Sequence, residues 1–210
     1  DELLAKYRQL AQEQTIGARA LKNSCLILLT STAVDIDTLV QQQYQQADNM
    51  TDSLAALQAA NVGALACRQA LLTDFEAQWK DTPLVMDKWF ALQACFNNEQ
   101  VFDAIENLKQ HSAFSFENPN RVRSIIGSFA MANLAQFHRV DGRGYQLLTD
   151  WLIVLNKVNP QVAARMITPL IQFGKFDQSR QQLIKVQLQR LMDLPDLSKD
   201  LYEKVFKALA

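Results

Sequence analysis

The sequence predicts an all-α fold: an irregular superhelical, solenoid-like array of about a dozen short antiparallel helices. Apolar residues recur at i, i+3 and i+4 spacing from one end of the chain to the other. No stretch of about four to eight residues sustains the apolar–polar alternation of a half-buried strand. Only 6 glycines and 5 prolines occur among 210 residues, of which 49% are hydrophobic. That is too few turn residues for an all-β fold and too apolar for a disordered chain. A dozen short helices cannot all line one central core, so stacked helix pairs are expected rather than a closed bundle.

The elements follow in order. Leu3, Leu4, Tyr7 and Leu10 stripe a helix over 2–12, and Leu21, Cys25, Leu26 and Leu29 stripe one over 18–29. Asp35 or Asp37 opens the next, with Leu39, Val40 and Tyr44 inward. Asn49-Met50-Thr51-Asp52 places a cap before Leu54, Leu57 and Ala60. Leu65, Leu71, Leu72, Phe75 and Trp79 mark 64–79. Thr82-Pro83 starts 84–95, proline being tolerated in a first turn. Asn97 and Gln100 stand in capping-box register before 101–109. Residues 110–119 are the longest irregular stretch, and Phe114 and Phe116 within it are suited to plugging a gap between helices. Helices follow over 120–133, 145–158, 160–173, 177–194 and 198–209, with a turn at Asp141-Gly142-Arg143-Gly144. The three tryptophans and most phenylalanines are assigned to the core.

Composition excludes several function classes. With 21 basic and 22 acidic residues the net charge is −1, and no basic block suits phosphate neutralisation, so nucleic acid is not an expected partner. No apolar run approaches the roughly 18–20 residues that span a bilayer, so no membrane partner is expected. Cys25, Cys67 and Cys95 are odd in number and lack CxxC spacing, which reads as reduced thiols packed as small apolar residues in a cytoplasmic protein. His111 and His138 stand apart from one another and from any ligand-spaced cysteine, so no zinc site is expected. Phosphate-loop, nucleophile-elbow and dinucleotide signatures are missing. Carboxylate pairs such as Asp35/Asp37 fall at helix starts, where capping explains them. No self-contained active site is legible.

Two strings stand out. Glu117-Asn118-Pro119-Asn120-Arg121-Val122-Arg123-Ser124 reads as a helix entry, with Asn118 and Asn120 assigned to capping. It places two arginines where they oppose the helix dipole. Val122, Ile125, Ile126 and Phe129 cluster on one face, with Arg121 and Arg123 flanking it on opposite sides. The two arginines either serve a ligand or are simply solvated. In Asn159-Pro160-Gln161-Val162-Ala163-Ala164-Arg165, Val162, Ala163, Met166, Ile167, Leu170 and Ile171 form the buried face. Gln161, Arg165, Thr168 and Gln172 share the opposite one. A guanidinium with five donors suits a carboxylate or a peptide carbonyl; the alternative is an ordinary solvated face.

These strings, taken with Asn49-Met50-Thr51-Asp52, Asp87-Lys88-Trp89-Phe90, Phe137-His138, Asp141-Gly142-Arg143-Gly144-Tyr145 and Asp200-Leu201-Tyr202-Glu203-Lys204, occur in a characteristic order. Together they resemble the C-terminal helical domain of bacterial aminopeptidase N, a zinc metallopeptidase of the gluzincin type. The resemblance covers essentially the whole chain and implies a single helical domain over 1–210. It implies that this domain is truncated on its N-terminal side, since the chain starts at Asp1 within a helical pattern, and that the closing Lys207-Ala208-Leu209-Ala210 is a natural end.

By the same resemblance, the catalytic domain, with its zinc, would lie elsewhere in the polypeptide and would be this domain's partner. The helical domain would cap the active-site cavity, restrict access to short peptides and supply contacts beyond the scissile bond. Arg123, Gln161 and Arg165 match the family positions implied for those contacts. No catalytic residue, metal ligand or cofactor is assigned to this chain itself. The competing reading is a helical-repeat module that binds a protein partner.

Overall fold

The computed structural model describes residues 2–13, 15–32 and 35–210; the expected start within a helix at Asp1 lies outside them. Among these residues all regular structure is helical, with no strand. The chain divides into two compact units, Asp1–Leu92 and Gln93–Ala210.

The first unit holds α1 (Glu2–Leu10), α2 (Ile16–Leu29), α3 (Asp37–Gln46), α4 (Met50–Val62) and α5 (Arg68–Trp79); α6 (Pro83–Ala94) runs on into the second. α2 packs against α1 and α4, and α3 packs against α4. Ala55, Ala56, Ala59 and Ala60 of α4 are all buried, and such small side chains let neighbouring helices approach closely. Between these helices lies a polar network centred on Asp52. Its carboxylate accepts from Lys22 Nζ at 2.9 Å, Asn23 Nδ2 at 2.8 Å and Asn49 Nδ2 at 3.2 Å. Gln43 Nε2 donates to Asn23 Oδ1 at 2.9 Å and to the Asp52 carbonyl at 3.1 Å, and Tyr7 donates its hydroxyl to Gln43 Oε1 at 2.8 Å. Burial pushes the Asp52 carboxyl up. The hydrogen bonds from Lys22, Asn23 and Asn49, with the Lys22 charge, outweigh this and hold it below its ordinary value. Burial, with Asp52 nearby, pushes the Tyr7 phenol up to about 12.

Local chemistry shifts several boundaries. α2 begins at Ile16 because the Thr15 hydroxyl accepts from Ala18 N at 3.1 Å. The expected helix over 64–79 begins only at Arg68. α4 closes through Leu65 N–H on the Ala60 carbonyl at 3.0 Å, with Ala64 at φ 48°, a position that normally takes glycine. Asp37 does not cap its own helix; its Oδ1 accepts from Cys67 N at 3.1 Å and so serves the start of α5. Burial, with this carboxylate, pushes the Cys67 thiol up to about 12, so it stays protonated and inert. Trp89 is buried as expected, but Trp79 is only half-buried because it ends α5 beside an open cavity.

The second unit contains α7 (Val101–Leu108), α8 (Pro119–Val122), a π-helical turn (Arg123–Gly127), α9 (Ser128–Ala132), α10 (Leu134–Phe137) and α11 (Arg143–Val158). It continues through α12 (Pro160–Met166), α13 (Thr168–Ile171), a 3₁₀ turn (Phe173–Lys175), α14 (Gln178–Met192) and α15 (Lys199–Leu209). Phe102, Phe129, Phe137 and Tyr145 form an edge-to-face chain with centroid spacings of 5.6, 5.9 and 5.3 Å. Phe114 and Phe116 pack on the buried Trp151, with ring centroids 5.5 and 5.0 Å away. The start of α7 rests on Asn98 rather than Asn97: Asn98 Oδ1 accepts from Gln100 N at 2.9 Å, while Asn97 accepts from Gln136 Nε2. The expected helix over 160–173 breaks after Met166, because Pro169 has no N–H to continue the ladder.

Two outcomes follow. Asp52→Ala strips the network of its acceptor and leaves a part-buried Lys22 unpaired, costing about 3 kcal/mol. Since the folded carboxyl titrates below its ordinary value of 3.8, the network's contribution is complete above that pH. It is lost as pH falls through the depressed folded value, so the stability gap between wild type and Asp52→Ala in urea titrations should be full at pH 7 and narrow progressively as pH is lowered below 3.8. A Cβ at Gly144 would lie 2.2 Å from the Phe137 carbonyl oxygen and 2.6 Å from Phe137 Cα, both backbone atoms that cannot swing away. Gly144→Ala should therefore lower unfolding stability by about 3 kcal/mol, measured the same way.

Candidate functional site

α8, the π turn and α9 together span the helix expected over 120–133. Asn118 caps it: its Oδ1 accepts from Asn120 N at 3.0 Å and Arg121 N at 3.4 Å. Asn120 does not cap. It sits inside the first turn, and its Oδ1 accepts from Arg123 Nη1 at 3.2 Å. The two arginines part ways, as opposite flanks require. Arg121 is 4% exposed and donates Nε–H to the Ala113 carbonyl at 2.9 Å, so it holds the preceding loop rather than being solvated. Arg123 is exposed at the opening of the π turn. Gly127, at the end of that turn, faces Met166 of α12, whose Sδ lies 3.4 Å from the position of an added Cβ. Single π turns within α-helices are frequent at functional sites.

The start of α12 is set by Asn159, whose Oδ1 accepts from Val162 N at 3.2 Å, with Pro160 in the first turn. Val162, Ala163 and Ile167 are buried, and Gln161 and Arg165 are exposed one turn apart, as the wheel predicts. The polar stripe ends there. Thr168 turns its hydroxyl back to the Arg165 carbonyl at 3.0 Å, and Gln172 pairs with Lys175 beyond the break.

Gln161 and Arg165 line a groove of about 500 Å³ between α12 and α15, together with Asp200, Glu203, Lys204 and Lys207. Arg123 does not line it. Lys204 Nζ donates to the Ala164 carbonyl, one of the α12 carbonyls without a helical partner. Lys207 pairs with Glu203 at 2.8 Å, and this hydrogen bond holds the Glu203 carboxyl below its ordinary value. Among the described residues the Arg165 guanidinium has no hydrogen-bond or ion-pair partner, so its donors are available to a ligand. The four α15 residues belong to the strings that carry the family resemblance but have no site role from sequence, although their i, i+3, i+4, i+7 spacing marks a polar face opposite the buried Leu201 and Val205. The groove offers donors and acceptors of both signs, which suits a peptide main chain or its carboxylate. Its lining includes no serine, cysteine or histidine to act as nucleophile or base.

The zinc implied for the parent enzyme would need a cluster of His, Cys, Asp or Glu ligands. Among the described residues no group of three His, Cys, Asp or Glu side chains comes together. His138 Nδ1 lies 2.9 Å from the Tyr145 hydroxyl, and burial, with the nearby Arg180 charge, holds its pKa down. His111 Nδ1 accepts from Ala113 N at 3.0 Å. These residues do not fit a zinc site, and no hydrolytic step is derived from them. Nor is any described helix long and apolar enough to cross a membrane.

Comparison with known proteins places this geometry. The family model described as "Domain of unknown function (DUF3458_C) ARM repeats" matches residues 1–210. Aminopeptidase N of Haemophilus influenzae is 53% identical over 197 residues, which cover 94% of this chain and 23% of that protein. Aminopeptidase N of Escherichia coli is 46% identical over 217 residues, covering 100% of this chain and 25% of that protein. The crystal structure of Legionella pneumophila aminopeptidase A in complex with aspartic acid matches with a TM-score of 0.84 and 30% identity, covering 92% of this chain and 23% of that one. The chain thus spans about a quarter of the length of the curated relatives it matches. With the family model matched from end to end, the chain belongs to the DUF3458_C family of ARM-repeat domains and is similar along its length to bacterial aminopeptidase N.

Proposed function

We propose that this chain is the helical domain of a cytoplasmic zinc aminopeptidase that removes N-terminal residues from peptides. On this reading it caps the active-site cavity of the catalytic domain in the same polypeptide and restricts entry to short peptides. It binds substrate beyond the scissile bond and performs no catalysis itself. The observation that carries the reading is the similarity to aminopeptidase N along the whole chain, joined to an unpartnered Arg165 guanidinium at the edge of a polar groove. Arg165 would hold a main-chain carbonyl or terminal carboxylate, and Gln161, with a donor and an acceptor on one amide, would hold the peptide beside it. Arg123, steadied by Asn120, would add a second cation from the π turn.

The test uses the full-length protein that carries this chain. Arg165→Ala should raise KM for tri- and tetrapeptides about ten-fold, as expected for one charge-assisted hydrogen bond lost from a partly exposed site. It should leave KM for single-residue chromogenic amides within about two-fold, since these lack the groups beyond the scissile bond. Equal effects on both substrate types, or none on either, would remove Arg165 from the substrate site and favour a partner-binding module.

A further inference from the structure

A second cavity lies in the first unit. It measures about 490 Å³, within the range of small-molecule sites, and opens where the end of α3 and the start of α4 meet α5. Its apolar wall is aromatic: Tyr44 and Phe75 are buried, and Trp79 is half-buried, 6.3 Å from Phe75 between ring centroids. Its charged groups are all of one sign. Asp48 and Asp74 line it, and no lysine, arginine or histidine does. Tyr44 donates its hydroxyl to Asp74 Oδ2 at 2.9 Å and Gln78 Nε2 donates to the same atom at 2.6 Å, fixing the carboxylate at the cavity wall. The Tyr44 phenol is raised by burial and by Asp74, so it remains a donor and never turns anionic at neutral pH. The surrounding field agrees. Residues 1–92 carry seven basic and eleven acidic residues, a net −4, whereas 93–210 carry fourteen and eleven, a net +3.

An aromatic face presented beside carboxylates, in a cavity without any cation of its own, matches the chemistry of an organic cation. We propose that the cavity walled by Tyr44, Phe75 and Trp79 and edged by Asp48 and Asp74 binds an alkyl guanidinium or alkyl ammonium group. Trp79 takes the flat face of the cation and the two carboxylates take its N–H donors. This accounts for the one tryptophan of three that the fold leaves half open, and it is independent of the aminopeptidase reading.

The test is titration calorimetry on the full-length protein carrying this chain, with N-acetyl-arginine amide, its neutral isostere N-acetyl-citrulline amide, and butylguanidinium. Saturable binding of the arginine amide is expected, at least ten-fold tighter than the citrulline amide. Trp79→Leu and Asp48→Asn should each weaken it ten-fold or more. Asp48 is exposed and outside the Tyr44–Asp74 hydrogen bond, so its variant should keep the wild-type unfolding midpoint. Butylguanidinium binding as tightly as the arginine amide identifies the free cation as sufficient; weaker binding identifies a peptide-borne side chain. Equal affinity for arginine and citrulline amides, no saturable binding, or affinity unchanged in both variants would overturn the proposal.

Discussion

A short helix carries its orphan backbone groups with it: four N–H donors at one end and four carbonyls at the other, whatever its length. Here the longest helix has 16 residues and several have four, so such ends are dense along the chain. The fold depends on supplying partners for them, and several of its buried polar side chains do this work across element boundaries. Asn61 donates to the Leu92 carbonyl while accepting from Arg68, and Asn133 donates to the carbonyls of Ala94 and Phe96. Asn156 donates to the Asp196 carbonyl and accepts from Ser198 N, closing the turn before α15. Arg121, Arg180 and Lys204 each donate to a carbonyl at a helix end or in a loop. A buried amide left unpaired is costly, so each of these bonds fixes where one helix stops relative to its neighbour.

That constraint also shapes the candidate site. α12 is held at its start by Asn159 and at its last turn by Lys204, and it is cut short by Pro169. The one turn that remains exposed carries Gln161 and Arg165, and α15, brought alongside by the same lysine, completes the groove. Arg123 is placed differently. A π turn inserts one residue into the helical register and carries its side chain on the opposite flank from Arg121, which the loop carbonyl of Ala113 draws inward. Two arginines two residues apart therefore do unrelated jobs, one structural and one facing solvent.

Much of this was legible in the residues. The all-helical class, the caps at Asn49 and Asn118, and the split of α12 into Val162/Ala163 inward and Gln161/Arg165 outward follow from spacing alone. What misled were residues whose partners come from another element. Of the two residues that read as opening α3, Asp35 accepts from Asp37 N while Asp37 serves α5; Asn120 reads as a cap and steadies Arg123; Trp79 reads as core and stands at a cavity edge. Ala64 favours a helix and reads as the start of the one over 64–79, yet it takes the left-handed closing position of α4.

The order of residues alone settles which faces of the helices are apolar, where most helices begin, and which family the motifs resemble. These are matters of periodicity and of bonds within about four residues, so they are written locally. Packing alone joins α1 to α4 through the network centred on Asp52, brings α15 in to supply half of the Gln161–Arg165 groove, and sets Tyr44, Phe75, Trp79 and two carboxylates around one cavity. Those groupings join residues about 30 to 40 positions apart. Their partners are chosen by packing and by the need to satisfy buried polar groups, which no local pattern in the chain records.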